Sequence, residues 1–461
     1  MFFRPSGDNT DMLSLVAVPQ EGVLNRLPVR SMDEQFGKFA GTDLLEMSYL
    51  LGVKKNPTGA QPTTSTGRGE LGGVISKAKR AIPRGVYSFG VETLDVKRLA
   101  IAPNRATATQ PMNILNPPNF GGTLFSQGGQ GNELIASELS KGLYASKFAA
   151  LQRLNTVIWQ GNPTLSQSST GWKDIVGFDQ FIGTGKVDSV DGTPLPILDS
   201  LIYDWNYQDA DSTIAALEQR IVHMFMHLQD KQRRQGGGEW DGFIAMRPDL
   251  WKILCYKWPV VQYQKILDGL AGFSAARGVV DPKELTEVRI NMYNNRVLPI
   301  EGQLVPVQLD EFIVEEDNGD KPGQIAADYF ASDIYFIPLT ALNGALPVTY
   351  IVPISWDSQV VNEVLNMANG MARSQLFISD GGRALWTFSG NRGSLEFDWW
   401  ISFFLVMHTP QWAGQLRNVK YKPVYHALDA DSAGSFWASQ QGRSAESTIY
   451  YYDEGGTRRS W

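Results

Sequence analysis

Apolar residues recur most regularly between 133 and 160, where Ile135, Leu139, Tyr144, Phe148, Leu151, Leu154 and Ile158 fall three to five residues apart. That spacing keeps one stripe on one side of an α-helix and predicts a long amphipathic helix with Tyr144, Phe148 and Leu151 as its core. At 1.5 Å per residue the helix would be about 42 Å long, more than a compact domain ordinarily needs. Gly161, Asn162 and Pro163 read as its terminating turn. A second stripe, Ile214, Leu217, Ile221, Phe225 and Leu228, predicts a helix over 212–234 that stops at a run of three glycines. Residues 242–246 then read as a strand, and 247–256 as a short helix with Pro248 in its first turn.

Outside these segments the pattern is looser. Residues 1–80 are rich in Gly, Pro, Ser and Thr, with a helix-like patch over 32–51 and an extended stretch over 57–73. Short β-branched and aromatic runs at 86–91 and 98–101 predict a long two-stranded excursion. An isolated hairpin is marginal in water, so arm and excursion both need a supporting surface. Beyond 285 the chain reads mostly as strands, at 288–292, 305–307, 311–315, 333–338, 348–352, 376–377, 384–388 and 394–404. Helices first and strands later predict an α+β protein.

Composition excludes disorder, since 43% of the 461 residues are hydrophobic and 19% charged. No apolar run reaches the ~20 residues of a membrane-spanning helix, so the chain is expected to be soluble. Cys255 is the single cysteine, which excludes an intrachain disulfide and a cysteine metal cluster. The net charge of −7 is unevenly spread: residues 51–110 carry +7 and residues 161–230 carry −7. Such blocks suit complementarity within the chain or between copies of it, or two separately solvated surfaces. Between copies, Lys77, Lys79, Arg80 and Arg84 are the candidate contacts; if the stretch instead faces nucleic acid, they would meet phosphates.

Catalytic chemistry finds no anchor. The run Gly183, Thr184, Gly185, Lys186 resembles the end of a phosphate loop, but Val187 stands where a Ser or Thr must reach magnesium. His223 and His227 have the spacing of zinc ligands, yet Met224 replaces the Glu that follows the first His in zinc proteases, and the pair reads as structural. The acids at 188, 191, 199, 204, 209 and 211 lack the spacing of a calcium loop and read as a solvated or subunit-facing stretch. The expectation is no catalytic residue, no cofactor and no metal.

The order of arm, long hairpin, overlong helix, glycine stop, mixed domain and closing strands resembles the major capsid proteins of tailed bacteriophages, whose Hong Kong ninety-seven-like fold is shared with encapsulins. The resemblance is most specific at 156–163, Thr-Val-Ile-Trp-Gln-Gly-Asn-Pro, followed by Val176, Gly177 and Phe178. It extends to 240–251 and to 395–410 with its Trp399, Trp400 pair. It implies an N-arm over 1–83, an E-loop over 84–131, a spine helix and the start of a peripheral domain over 132–175, and an axial domain over about 176–350. A return to the peripheral domain over 351–426 and a tail over 427–461 would complete the chain; the tail runs past the family's usual end. The implied function is structural rather than enzymatic. Copies would self-assemble into hexamers and pentamers of an icosahedral virion head around double-stranded DNA, formed in the host cytoplasm, with portal, scaffold or decoration proteins as further partners and no membrane. DNA would be met through non-specific phosphate contacts. The alternatives are an encapsulin-like compartment or another virion structural protein, and then a hydrolase with an unrecognised site.

Overall fold

The computed structural model describes residues 23, 26–29, 46–53, 77–83, 85–95, 152–164, 174–235, 238–258, 290, 292–326, 329–342, 346–353, 374–379, 384–391, 394–422, 450–452 and 458–460. Tyr144, Phe148, Leu151, Arg84, the stretch 57–73, the run 98–101 and most of the tail lie outside them. The chain divides into two compact units, one of residues 1–200 and 338–412, the other of residues 201–337 and 413–461.

The first unit is organised by one strand. Short strands lead to it: β1 (Glu46–Val53), β2 (Lys77–Pro83) and β3 (Gly85–Asp95). Helix α1, residues 152–160, ends at Gly161, and a single turn α2 (Phe178–Phe181) follows. In the later part, after the two-stranded pair β10 (Ala341–Leu342) and β11 (Leu346–Pro347), β12 (Thr349–Pro353), β13 (Ser374–Ser379), β14 (Ala384–Asn391) and the 14-residue β15 (Ser394–Met407) form the main sheet. β15 pairs antiparallel with β14 and β3 along its first part and with β12 along its last. Ile401 and Phe403 to Met407 are all buried, as expected of a strand covered on both faces.

One prediction for this unit changes. The patch over 32–51 ends in β1, not in a helix, because β1 finds a cross-strand partner in β2, with Leu50 opposite Lys79. Pairing distant in sequence overrides a local pattern that fits either element. The described part of the arm is also tied into its own unit: Val23, Leu27, Leu51 and Ala78 are buried, and the Ile351 N–H donates to the Pro28 carbonyl at 2.9 Å. Likewise β3, the first strand of the expected excursion, has its surface in β15.

The second unit holds a mixed sheet in the order β4 (Leu201–Asp204), β16 (Gly414–Tyr421), β9 (Phe330–Pro338), β5 (Gly242–Met246), β7 (Gln303–Leu309), β6 (Val297–Ile300), with β8 (Glu315–Glu316) paired to β9. Helix α3 (Ile214–Arg234) buries the predicted Leu217, Ile221, Phe225 and Leu228 in a core with Trp240, Ile244, Phe336 and Leu416. It can approach β16 because Gly414 carries no side chain: a Cβ there would stand 3.1 Å from Leu228 Cδ1. Helix α4 (Pro248–Lys257) begins at the predicted proline and adds Leu250, Trp251 and Leu254 to the same core. The architecture is α+β.

Here too two expected strands are replaced. Residues 290 and 292–295 are helical, and 311–314 form a turn between Asp310 and β8. The turn is held by Arg247, the residue before α4. Its guanidinium donates to the carbonyls of Glu311 and of Ile313, the latter at 2.8 Å, and pairs with Glu315 at 2.8 Å. Glu315 also accepts the Tyr421 hydroxyl, whose titration burial and this carboxylate push well above the usual tyrosine range. Carbonyls spent on a guanidinium are not available to a strand ladder. Arg247→Met leaves those acceptors and the Glu315 charge without their donor, so we expect a loss of about 2 kcal/mol in chemical denaturation, with Arg247→Lys recovering less than half of it.

Candidate functional site

The residues that carry the sequence resemblance meet at the end of α1. The Gly161 N–H closes the helix on the Val157 carbonyl at 2.8 Å, and Asn162 Oδ1 then accepts both the backbone N–H and the hydroxyl of Thr164. The chain comes back at Gly177, whose N–H donates to the Gly161 carbonyl at 2.8 Å. A Cβ on Gly177 would lie 2.6 Å from both the Gly161 nitrogen and the Trp159 oxygen, and one on Gly161 would lie 2.5 Å from the Ile175 oxygen. Both clashes are with backbone, which cannot swing aside as a long side chain can. On either side, Trp159 and Phe178 are fully buried, with ring centroids 5.1 Å apart.

The basic candidates separate. Lys79 is exposed on β2, and its carbonyl accepts the Ser189 N–H at 3.1 Å and the Ser189 hydroxyl at 2.9 Å. Arg80 is half-buried with its guanidinium 4.8 Å above the Phe181 ring, a cation–π contact inside the unit. Lys77 lies on the same strand, and Arg84 falls outside the described residues. Thus the basic strand and one loop of the acidic block touch within one chain.

The acids themselves have a role the sequence reading missed. Asp188, Asp191, Asp204 and Asp209 each accept, through one carboxylate oxygen, the backbone N–H two residues on, and Asp199 accepts the Lys186 N–H. They shape turns, and Asp188 is buried rather than solvated. For Asp188, Asp191 and Asp204, an Asp opening a Gly- or Asn-bearing turn was the available signal. Lys186, the phosphate-loop lysine by analogy, is buried and donates to the Gln180 carbonyl at 3.1 Å. His223 and His227 are both exposed on α3, so they are not core histidines. Among the described residues no group of three or more His, Cys, Asp or Glu is placed to hold a metal, and no helix is long and apolar enough to cross a membrane.

The arm is latched to the main sheet of its unit at His408. Nδ1 donates to the Leu50 carbonyl at 2.6 Å, which leaves Nε2 of the neutral ring to accept the Tyr350 hydroxyl at 3.0 Å. The next residue, Thr409, donates its N–H to the Leu51 carbonyl at 2.9 Å. Burial pulls the imidazole below the usual histidine range, against the smaller opposing effect of the Leu50 carbonyl.

No family model matches the chain, and no curated protein matches it in sequence. Among solved structures it is similar to the capsid of Ralstonia phage GP4, at 10% identity over 88% of this chain and 93% of that one, with a TM-score of 0.40. It is similar to the capsid of a native GTA particle at 11% identity, 88% and 92% coverage and a TM-score of 0.39. It is also similar to the SrpI encapsulin of Synechococcus elongatus PCC 7942 at 9% identity, 88% and 91% coverage and a TM-score of 0.34. Values of this order leave the functional reading to the residues themselves.

Two outcomes follow from the geometry. Gly177→Ala forces a methyl group into two backbone atoms and is expected to cost about 3 kcal/mol in denaturant titration, with little change in denaturant dependence. For His408 the unfolded chain takes up a proton at higher pH than the folded chain. Stability is therefore full above the ordinary histidine pKa of about 6.5 and falls as pH drops below it toward the depressed folded-state value. Denaturation midpoints measured between neutral pH and pH 5 should decline more steeply for the parent chain than for His408→Gln.

Proposed function

We propose that this chain is a shell-forming capsid subunit that assembles with copies of itself into hexamers and pentamers of an icosahedral head around double-stranded DNA. One observation carries the reading: the segment that resembles the phage capsid family most specifically, 156–163 with 176–178, forms a single packed junction at the end of α1. On this reading α1 is the last part of a spine helix whose core includes Tyr144, Phe148 and Leu151, with Gly161, Asn162 and Pro163 as its stop. The unit of 201–337 with 413–461 would be largely axial, and the remaining unit would hold the arm, the excursion and the peripheral part. Scaffold, portal or decoration proteins would be its further partners, the virion its place, and assembly would proceed in the host cytoplasm.

Exposed Lys79 and its neighbour Lys77 would meet acidic surface on an adjacent copy, each contact being worth under about 1 kcal/mol and screened by salt. Arg80 would contribute less, because its guanidinium already stacks on Phe181. The chain expressed alone, viewed by electron microscopy and sedimented over a range of concentrations, is expected to form rings or closed shells; a stable monomer of ~51 kDa throughout would overturn the proposal. DNA inside the particles from infected cells separates a head from a protein-loaded compartment. Lys77→Ser with Lys79→Ser should leave the melting temperature unchanged and weaken assembly progressively as salt rises. Unchanged assembly with poorer DNA retention would instead place these lysines against the genome.

A further inference from the structure

We propose that His223 and His227 form a bidentate site for a borderline divalent transition-metal ion, of the zinc, nickel or copper class, on the open face of α3. The helix is regular over 21 residues, and its buried face is fixed by Leu217, Ile221, Met224, Phe225 and Leu228. That orientation turns His223 and His227 outward, one turn apart, where both are exposed. Side chains four apart on a helix stand with Cβ atoms about 5–6 Å from each other, within reach of one ion. Neither imidazole has a hydrogen bond or ion pair among the described residues, so none of those residues competes for the ring nitrogens.

The chemistry narrows the ion. Neutral imidazole suits zinc, copper and nickel, whereas magnesium and calcium require oxygen ligands. Two histidines fill half of a tetrahedral shell, and water completes it in the isolated chain. Asp230, one turn beyond, is engaged with Arg234 at 2.8 Å and leaves the pair as the protein's contribution. The site binds and does not hydrolyse: Met224, where a zinc protease has its general base, is buried in the core. His408 offers no competing site, since the Leu50 carbonyl and the Tyr350 hydroxyl occupy both its nitrogens.

The test uses the full chain without a histidine tag, titrated with zinc sulfate in a calorimeter, with magnesium chloride as the contrasting ion. Zinc should bind with micromolar affinity and magnesium should not. His223→Gln and His227→Gln should each weaken zinc binding roughly tenfold or more while leaving the metal-free melting temperature unchanged, since both positions are exposed. Zinc should raise the melting temperature of the parent chain and not of either variant. The proposal is overturned if the parent chain binds no zinc, if magnesium binds as well as zinc, or if both variants bind zinc as tightly as the parent. These readouts are independent of whether the chain assembles.

Discussion

At the end of α1 two strands of backbone pass so close that neither can carry a β-carbon. The hydrogen bond from Gly177 to the Gly161 carbonyl is one of many in the protein, but it sets where the chain returns after the helix and so what can pack there. Trp159 on the outgoing segment and Phe178 on the returning one meet because the glycines allow the approach. A contact of this kind is stringent without being strong. Its energy is that of an ordinary amide–carbonyl hydrogen bond, while its steric requirement excludes every residue but one at two positions.

The second unit depends on a different device. Arg247 and Asp333 each hold several partners that are far apart in sequence. Arg247 draws in the 311–314 turn and Glu315 beyond it, and Asp333 accepts both the Gln415 side chain at 2.8 Å and the Asn418 N–H at 2.9 Å. Asn418 stands at a register shift in β16 with a left-handed backbone, φ 60°, and its side chain donates to Asp204. Charged groups thus fix the irregular places of the sheet, where the ladder alone would leave backbone groups unsatisfied. The regular places are left to apolar packing between α3, α4 and the strands.

Elements were legible in the sequence where one segment carried its whole signal. The α3 stripe, the Pro248 start of α4 and the Gly161 stop needed no knowledge of the rest of the chain. β1 was not legible, because Met47, Leu50 and Leu51 fit a helix as well as a strand and only distant β2 decides between them. Residues 311–314 were misread for the same reason: the carbonyls of Glu311 and Ile313 are taken by an arginine 64 and 66 residues earlier in the chain. Of the candidate contacts, Lys79 stands in the open as charge patterning expects, while the stacking of Arg80 on Phe181 has no trace in either local sequence. The turn-capping aspartates were visible but were weighed as a block of charge instead of one turn at a time.

The long strand β15 gives the first unit an uneven response to load. Its first part is paired on two edges, to β14 and to β3, in antiparallel ladders. Tension along β3 would shear every rung of its ladder together, whereas a pull across one end would unzip the rungs singly. Losing β3 altogether would still leave β15 paired to β14 and β12. A wall built from such units would resist stretch along one direction and yield along another, and it could release one strand without surrendering the sheet.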